Sequence, residues 1–340
     1  MSKAIRNNGV IVVIGATGTI GTYLVDELVA EGYNVVAVGR RNVQKGYYAK
    51  KGVACARVNI CKPDDFQNLP QSGVDTVVHI AGSMPSRMVG YKAQTYIDVN
   101  ITGTLNTLEY CRIAGVARYI FTQSHSDVAG HWNTGKFIDP NTTRLLNFKG
   151  DHAVYIISKN AAVDLIEHYH QQYGLQTIIF RLPTIYNYRP IFYMYVNGRQ
   201  SVIAYRYLIK KAMAGEPLEI WGDPQRAKDI VYVKDFNQMV IKAMNSDKAQ
   251  GMYNVGTGIP TTLEAQIKGI AQIFSPVDNP SEIVYCPGKP SQASYLYDIS
   301  NAVSDFGYRP AFGYIEMLED MKKEMNGHRF DHLVDADVTI

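Results

Sequence analysis

A tyrosine and a lysine four residues apart, Tyr155 and Lys159 in the stretch AVYIISKNAAVDL, have the residue types for proton transfer. The spacing predicts that both lie on one face of a helix, because residues i and i+4 are neighbours there. An ammonium close to a phenol favours the phenolate and lowers the pKa of the phenol. Such a tyrosine can exchange a proton with a hydroxyl or a carbonyl near neutral pH. The pair alone is common on helix surfaces, so the elements before it decide its interpretation.

Hydroxyl side chains stand at the end of the apolar run RYIFTQS and just beyond it, at Thr122, Ser124 and Ser126. The run predicts a buried strand, and catalytic groups of parallel α/β sheets collect at the carboxyl ends of strands. A hydroxyl there can hydrogen-bond a reacting oxygen. The alternative is a loop in which these hydroxyls cap backbone groups.

Three glycines spaced G-x-x-G-x-x-G lie in VIVVIGATGTIGTYLVDEL, at Gly15, Gly18 and Gly21. A predicted strand precedes them and an amphipathic helical pattern follows, which is the context that a dinucleotide-binding turn requires. The glycines allow a tight turn, close approach of a pyrophosphate and close packing of helix on strand. The N-terminus of the helix would face the anion with its free N–H groups. A plain strand–helix turn is the alternative; the context favours nucleotide binding.

The second predicted strand ends on a glycine and two arginines, Gly39, Arg40 and Arg41. An acidic side chain at this place would hydrogen-bond the adenosine ribose and repel a 2′-phosphate, whereas an arginine accepts the phosphate. The sequence therefore favours NADP(H) over NAD(H). The alternative is a solvated basic turn.

Apolar runs and helical periods alternate through the first half of the chain. Five runs predict buried strands: VIVVIG (10–15), NVVAVG (34–39), DTVVHIAG (75–82), RYIFTQS (118–124) and QTIIFRL (176–182). Stripes at helical spacing lie between or after them: Ile20, Leu24 and Leu28; Ile101, Leu105 and Leu108; and Ala162, Ile166, Tyr169 and Tyr173. Continuous apolar strands alternating with helices predict an α/β fold, a doubly wound parallel sheet of the Rossmann type.

A smaller lobe is expected after this sheet, because prolines punctuate shorter segments beyond residue 183. The predicted organisation is a dinucleotide-binding Rossmann domain over 1–183 and a mainly substrate-binding lobe over 184–330. Some segments of that lobe are expected to return to the sheet. Residues 331–340 are expected to form a tail.

Composition narrows the class of protein. The 340 residues are 46% hydrophobic and 19% charged with a net charge of +3, which suits a globular domain and does not favour nucleic-acid or membrane partners. No apolar run reaches the roughly 20 residues of a membrane span, and the start MSKAIRNNG lacks a signal-peptide pattern, so a cytoplasmic location is expected. The four cysteines form no C-x-x-C pair, suggest no metal site and are expected to be free, mostly buried thiols.

Taken together, the sequence resembles the extended short-chain dehydrogenases/reductases, the NAD(P)-dependent epimerase/dehydratase group that acts on nucleotide sugars. The resemblance covers residues 10–322 and rests on GATGTIG, DTVVHIAG, DVNITGTLNTLEYCRIAGV, YIFTQS, YIISK, FRLPTIY, IWGDPQRAKDIVYVKD, MYNVGTG and DFGYRP. It implies a nicotinamide dinucleotide, a nucleotide-sugar substrate and a homodimer formed by the helices around 100–115 and 158–173.

The resemblance also implies roles for individual residues. Tyr155 would be the proton donor or acceptor, Lys159 would lower its pKa and hold the nicotinamide ribose, and Ser124 would supply the hydroxyl. Ser126 is the alternative hydroxyl, because the loop after Ser124 is one residue longer than the family pattern. The implied cofactor-binding set is Gly15, Thr17, Gly18, Thr19, Ile20, Gly21, Arg40, Arg41, Asn59, Ile60, Ala81, Gly82, Ser83, Asn100, Thr122, Tyr155, Lys159 and Pro183.

Two motifs on the substrate side depart from the family pattern. Thr184 replaces an asparagine that usually touches the substrate, and Lys228 replaces an arginine that contacts the diphosphate. Lysine cannot grip a phosphate bidentately, and Arg226 is placed to compensate. The candidate substrate residues are Met84, His125, Ser126, Thr184, Arg226 and Lys228.

The residues after Ser124 bear on the reaction. A dehydratase needs an extra acid and base, usually Asp-Glu, whereas here His125, Ser126 and Asp127 follow without a glutamate. Because NADPH is typically a reductant, the sequence favours a reductase of a keto-sugar nucleotide. A dehydratase, for which His125 would be the candidate acid or base, is disfavoured. An epimerase with a retained cofactor is the first alternative. A non-catalytic dinucleotide-binding regulatory protein is the second alternative, disfavoured by the intact Tyr155, Lys159 and Ser124 set.

Overall fold

The computed structural model describes residues 9–40, 46–150, 152–191, 193–196 and 198–330. The strands are β1 Val10–Ile14, β2 Asn34–Gly39, β3 Ala54–Arg57, β4 Val74–His79, β5 Arg118–Ser124, β6 Phe137–Ile138, β7 Gln176–Leu182, β8 Ile185–Tyr186, β9 Tyr193–Val196, β10 Arg199–Val202, β11 Leu218–Trp221, β12 Ala227–Asp229, β13 Val231–Tyr232, β14 Gly251–Asn254, β15 Pro260–Thr262, β16 Ile283–Cys286 and β17 Leu296–Tyr297. The α-helices are α1 Thr19–Ala30, α2 Ala93–Tyr96, α3 Gly103–Ala114, α4 His152–Tyr173, α5 Ala204–Met213, α6 Val233–Met244, α7 Leu263–Phe274, α8 Ser300–Phe306 and α9 Tyr314–Met325.

Seven strands form one sheet in the order β3-β2-β1-β4-β5-β7-β14. Every pair of neighbours in it is parallel. The strand order reverses between β1 and β4, and ligands of such sheets bind outside the carboxyl ends of the strands at that point. The predicted doubly wound Rossmann sheet is confirmed.

The apolar strands are buried on both faces of the sheet, as their continuous patterns predict. In β1, Ile11 and Val13 belong to one core cluster, while Val12 and Ile14 belong to the cluster on the opposite face. Successive side chains of a strand point to opposite faces. Helices α1 and α6 cover the first face of the sheet, and helices α3 and α4 cover the second.

Two helical stripes differ from their predicted burial. On α3 the buried face carries Thr104, Thr107 and Leu108, while Leu105 is 38% exposed. On α4 the predicted stripe ends at Tyr169, since Tyr173 is 50% exposed. A stripe of large apolar residues indicates a helix face, but small polar side chains can take the core position beside a sheet, which the pattern does not reveal.

The second half of the chain builds short strand pairs around the main sheet. The pairs are β6–β17, β8–β13, β9–β10, β11–β16 and β12–β15. The exception is β14, which pairs with β7 in the main sheet. The boundary at residue 183 stays a prediction.

No helix within the described ranges is long and apolar enough to cross a membrane. The cysteines are free; Cys111 is buried, whereas Cys55, Cys61 and Cys286 are only partly buried. The expectation of mostly buried thiols is therefore wrong for three of the four. Cys55 and Cys286 lie on the short outer strands β3 and β16, where less of the molecule covers a side chain.

Candidate functional site

The glycine turn between β1 and α1 is too tight for side chains. Gly15 has a φ of +97°, and a Cβ there would lie 2.7 Å from the Ala81 nitrogen. A Cβ on Gly21 would lie 2.3 Å from the Gly15 carbonyl oxygen, whereas Gly18 leaves 3.3 Å to the same oxygen. Such a turn brings backbone close to whatever binds above it. The predicted roles of the three glycines thus have a steric basis in the structure.

The N-terminus of α1 fits an anionic group. Its N-cap residue is Gly18, and no side chain among the described residues caps it. The Thr19 hydroxyl oxygen is buried and has no hydrogen-bond partner in the described structure. An uncapped helix start with its positive dipole end and an unsatisfied hydroxyl is suited to a pyrophosphate. Ile20 and Thr17 complete the predicted set on this turn.

The end of β2 explains the missing acidic residue. A Cβ on Gly39 would lie 2.7 Å from both Cγ2 and Oγ1 of Thr17. A side chain at position 39 therefore requires Thr17 to move. Arg40 follows with an exposed side chain, and its carbonyl accepts a hydrogen bond from Arg57 Nε at 3.2 Å. Arg41 lies outside the described residues.

Asn59 and Ile60 follow the carboxyl end of β3, as Arg40 follows the carboxyl end of the neighbouring parallel strand β2. Ile60 is buried, and its carbonyl accepts a hydrogen bond from Asn106 of α3 at 2.8 Å. Burial raises the pKa of the adjacent Cys61 thiol, and the positive charge of Arg40 opposes that shift. The Arg40 guanidinium thus acts electrostatically on this loop, where the resemblance places the adenosine.

Asn100 connects the loop after β4 to the helix that carries Tyr155. It is 3% exposed and lies in a π-helical segment, Ile97–Thr102. Its side chain accepts a hydrogen bond from the Ser83 nitrogen at 2.8 Å and donates to the Ser83 carbonyl at 3.0 Å. It also donates to Ser158 at 2.9 Å, whose hydroxyl donates to the Tyr155 carbonyl at 2.7 Å. Asn100 therefore ties together Gly82–Ser83 and α4.

Tyr155, Lys159 and Ser124 come together at the carboxyl edge of the sheet. The Ser124 side chain lies close enough to the Tyr155 phenol to lower its pKa. Lys159 is 5% exposed, with its Nζ 3.8 Å from the centre of the Phe121 ring. Pro183 directly follows Leu182, the strand partner of Ser124.

The pKa shifts at this centre follow from burial. Burial raises the pKa of Tyr155, the hydrogen bond from Ser124 lowers it, and the charge of Asp127 raises it. Burial also lowers the pKa of Lys159 to about 7. Burial dominates the pKa of Tyr155 here, and the lowering of that pKa by Lys159 stays a prediction.

The alternative hydroxyls, Thr122 and Ser126, have other surroundings. Thr122 is buried and donates to the His79 carbonyl at 3.5 Å. The Ser126 nitrogen donates to the Ser124 hydroxyl at 3.3 Å, as the capping interaction of the short helical segment His125–His131. Ser124 is the hydroxyl residue that lowers the pKa of Tyr155.

A buried ion pair fixes the segment that carries these hydroxyls. Arg181 Nε lies 3.0 and 3.1 Å from the two carboxylate oxygens of Asp127. The same guanidinium donates to Asn254 of β14 and to the Pro140 carbonyl, both at 3.0 Å. The pair thus joins the segment after β5 to β7 and β14, and removing one partner would leave a buried charge.

Three of the candidate substrate residues adjoin an aromatic cluster. The Nδ1 of His125 is 2.7 Å from the Tyr297 hydroxyl, and its ring lies 4.7 Å from Trp132 and 4.9 Å from Tyr295. Lys228 Nζ is 5.8 Å from the centre of the Tyr295 ring. Thr184 lies close enough to the Tyr295 phenol to lower its pKa, although burial raises that pKa overall.

The remaining candidates lie at the borders of this cluster. Arg226 donates to the Asn133 side chain at 3.0 Å, close to Trp132 in sequence. Met84 is 38% exposed in the loop after Ser83. Sequence reasoning missed Trp132, Tyr295 and Tyr297, although the i, i+2 spacing of the two tyrosines indicates one face of a strand.

Burial and nearby charge lower the pKa of His125 to about 3, with Lys228 and Arg181 as the charged neighbours. The imidazole is therefore neutral at pH 7. Burial also lowers the pKa of Lys228. No three His, Cys, Asp or Glu side chains in the described part of the chain come close enough to hold a metal ion.

A parallel sheet, a glycine turn that fits a pyrophosphate and a Tyr–Lys–Ser centre define a Rossmann-type dinucleotide enzyme fold. Residues 11–256 match the NAD dependent epimerase/dehydratase family, and the chain belongs to that family.

Characterised relatives are similar over nearly the full length. A putative UDP-glucose 4-epimerase of Methanocaldococcus jannaschii is 24% identical over 93% of this chain and 97% of its own. UDP-glucuronic acid decarboxylase 6 of Arabidopsis thaliana is 26% identical over 95% and 90%. The crystal structure of a Thermotoga maritima UDP-glucose 4-epimerase with UDP-glucose superposes with a TM-score of 0.74 at 22% identity, covering 94% of this chain and 100% of that one. The structural likeness confirms the fold.

Proposed function

We propose that this protein transfers hydride between a nicotinamide dinucleotide and a sugar carbon of a nucleotide sugar, with Tyr155 as the proton donor or acceptor. The observation that carries the proposal is the placement of Ser124 at the end of β5, close enough to the Tyr155 phenol to lower its pKa, with buried Lys159 one turn further along α4. These groups lie at the sheet edge beside the glycine turn. The names of the relatives, which are enzymes of UDP-sugars, support the substrate class.

The side chains divide the work of a carbonyl reduction. A bound dinucleotide supplies the hydride that adds to the carbonyl carbon. Tyr155 gives its phenolic proton to the carbonyl oxygen, which becomes a hydroxyl. Ser124 orients the phenol and hydrogen-bonds the same oxygen, and the Lys159 ammonium favours the phenolate that forms. The reverse direction oxidises the hydroxyl, with Tyr155 accepting the proton.

The proposed cofactor is NADP(H) in preference to NAD(H). A Cβ at Gly39 would require Thr17 to move, which disfavours an acidic residue there, and the exposed Arg40 beside it suits a 2′-phosphate. Fluorescence titration of the protein with NADPH and NADH tests this, with tighter binding of NADPH expected. Equal or reversed affinities would refute the preference and would agree with the family's description as NAD dependent.

The proposed reaction is the NADPH-dependent reduction of a keto-sugar nucleotide. The second candidate is epimerisation with a retained cofactor, which the likeness to a putative UDP-glucose 4-epimerase favours. A panel of UDP-hexoses, their 4-keto derivatives and UDP-glucuronic acid separates the two. A reductase oxidises one NADPH per keto substrate consumed, whereas an epimerase interconverts UDP-hexoses with no added dinucleotide. A protein that binds dinucleotide but turns over nothing on the panel would be the non-catalytic alternative.

Substrate contacts are proposed for His125, Thr184 and Lys228, which converge on Tyr295. The partly exposed ammonium of Lys228 and the guanidinium of Arg226 suit a diphosphate. The neutral His125 imidazole suits hydrogen bonding with a sugar hydroxyl or, as acid and base, a proton exchange with it. Met84 and Ser126 are proposed at the edge of this site.

A further inference from the structure

Arg329 and Phe330, called here the C-terminal clasp, anchor the chain beyond α9 to helix α1. Phe330 is 2% exposed. Its ring lies 5.3 Å from that of Tyr23 on α1 and 6.3 Å from that of Tyr188. A phenylalanine buried to this extent contributes strongly to packing. The clasp is therefore an anchored part of the fold.

Arg329 joins three side chains from two helices. Its Nε and one Nη hydrogen-bond the two carboxylate oxygens of Glu324, at 2.9 and 3.1 Å. Its other Nη donates to Asp26 on α1. The guanidinium also lies over the ring of Tyr23, 4.6 Å from its centre. This planar, bidentate arrangement is one that lysine cannot reproduce in full.

Asp26 connects the clasp to the residues that follow the arginines at the end of β2. Besides Arg329, its carboxylate accepts hydrogen bonds from the Tyr47 hydroxyl and from Lys51 Nζ, the latter at 2.7 Å. Asp26 is only 11% exposed. The largely buried Asp26 carboxylate thus connects α1 to the segment 46–51 and to the end of the described chain.

Tyr48 carries the connection into the glycine turn. It is 1% exposed, and its hydroxyl donates to the Ala16 carbonyl at 2.6 Å. Ala16 follows Gly15 in the turn, and its nitrogen donates to the Val38 carbonyl of β2 at 3.0 Å. The backbone nitrogen of Ala16 is therefore bonded to β2, and its carbonyl is bonded to Tyr48. The preceding residue, Tyr47, is hydrogen-bonded to Asp26.

We propose that the C-terminal clasp is a positioning element for the dinucleotide site, acting through Asp26 and residues 46–51 on the backbone of the glycine turn. The inference rests on the proposed dinucleotide function and adds to it a determinant of affinity that does not itself touch the cofactor. A continuous set of hydrogen bonds and ion pairs is the kind of network through which distant residues alter binding, by about 0.5–2 kcal/mol or roughly 2- to 30-fold.

The test compares Arg329→Gln, Asp26→Asn and the double variant with the wild type. Titration with NADPH and NADH is expected to show dissociation constants about five- to tenfold higher in each single variant. The double variant is expected to match the singles, because both substitutions break one connection. At saturating dinucleotide, kcat stays within about twofold of the wild type, and Arg329→Lys recovers part of the affinity.

Arg118→Gln is the matched control, because it makes the same substitution at another arginine held by carboxylates. Arg118 begins β5 and pairs with Asp75 and Asp247 at 3.0 and 3.3 Å, whereas the partners of Arg329 are Asp26 and Glu324. The control should leave dinucleotide affinity unchanged. Hydrogen exchange of the unliganded proteins gives a second measurement: amides of residues 14–22 should exchange faster in Arg329→Gln and Asp26→Asn than in Arg118→Gln.

The outcomes separate the two proposals. If the wild type binds dinucleotide and the clasp variants bind it equally well, the clasp has no positioning role and the proposed function stands. Equal weakening in Arg118→Gln would also overturn the positioning role of the clasp, because the effect would be a general loss of stability. If the wild type binds neither NADPH nor NADH, the proposed function fails, and the role of the clasp in it fails too.

Discussion

At the scale of single residues, the candidate chemistry depends on the phenol of Tyr155. The Tyr155→Phe variant keeps the ring, which lies 6.0 Å from the ring of Tyr96, but loses the phenolic hydroxyl. Turnover should fall by about 10²- to 10⁴-fold, the usual contribution of a general acid or base. Dinucleotide affinity should remain close to that of the wild type. Steady-state kinetics and fluorescence titration measure the two effects.

Tyr110→Phe is the control for this prediction, because it also removes a buried tyrosine hydroxyl, bonded to the Pro70 carbonyl at 2.6 Å, but away from the site. It should retain activity. If Tyr155→Phe instead loses dinucleotide affinity together with activity, Tyr155 is a structural residue and the proposed mechanism is wrong.

Lys159 gives a pH dependence with a defined sign. Burial lowers its pKa from 10.5 to about 7 in the folded protein. Between pH 7 and 10.5 the unfolded chain therefore holds a proton that the folded chain has released, so this lysine makes the free energy of unfolding rise with pH. The stability of the unliganded wild type relative to Lys159→Met should increase from pH 7 to pH 10. Urea unfolding at several pH values checks it, and parallel profiles for the two proteins would contradict it.

At the scale of elements, the sequence predicts the strands better than the helix faces. The runs 118–124 and 176–182 match β5 and β7 in full, because a strand buried on both faces carries consecutive apolar residues at its centre. Gly32 and Gly174, with φ of +83° and +71°, follow the ends of α1 and α4, where glycine is common. Leu105 was expected in the core and is exposed, since the sheet accepts Thr104 and Thr107 there.

The candidate site shows the same division between local and distant contacts. The Tyr155–Lys159 pair and the glycine turn are local patterns, so spacing alone predicts them. The contact of His125 with Tyr297 joins residues 172 positions apart. The clasp contact of Arg329 with Asp26 joins residues 303 positions apart. Nothing in either local pattern indicates its partner, because such contacts depend on the packing of the whole chain.

The turn formed by the ends of β1 and β2 supports a prediction about cofactor choice. Gly39→Asp alone should weaken both dinucleotides, because its Cβ would meet Cγ2 and Oγ1 of Thr17 at 2.7 Å. Adding Thr17→Ala removes those atoms, and the carboxylate can then accept hydrogen bonds from the ribose and repel a 2′-phosphate. The double variant should prefer NADH over NADPH by at least about tenfold. Titration with both dinucleotides measures it.

Thr17→Ala alone is the matched control and should keep the preference of the wild type for NADPH. If the double variant still prefers NADPH, the phosphate is recognised elsewhere and Gly39 does not decide the cofactor. If Gly39→Asp alone binds NADH well, the steric explanation through Thr17 is wrong.

At the scale of the whole molecule, α3 and α4 lie side by side and leave large apolar side chains exposed. Ile113 is 69% exposed, Leu105 38% and Ile157 41%. We expect a second copy of this chain to cover them, because the family resemblance pairs these two helices across a dimer interface. Light scattering should give twice the chain mass of 38.0 kDa. A wild type that stays monomeric at high micromolar concentration would contradict the expectation.

A substitution on this surface tests whether these helices form the interface. Ile113→Asp would place a carboxylate in the apolar centre of the dimer, where an unpaired charge is costly, and should shift the protein to the monomer without lowering its thermal stability as a monomer. Val277→Asp is the matched control, because Val277 is fully exposed and lies away from α3 and α4. A dimer that survives Ile113→Asp but dissociates with Val277→Asp would place the interface on the opposite part of the molecule. Since Tyr155 and Lys159 stand on α4 itself, a true α3–α4 interface should also make turnover per chain fall as Ile113→Asp is diluted, to a degree that Val277→Asp does not show.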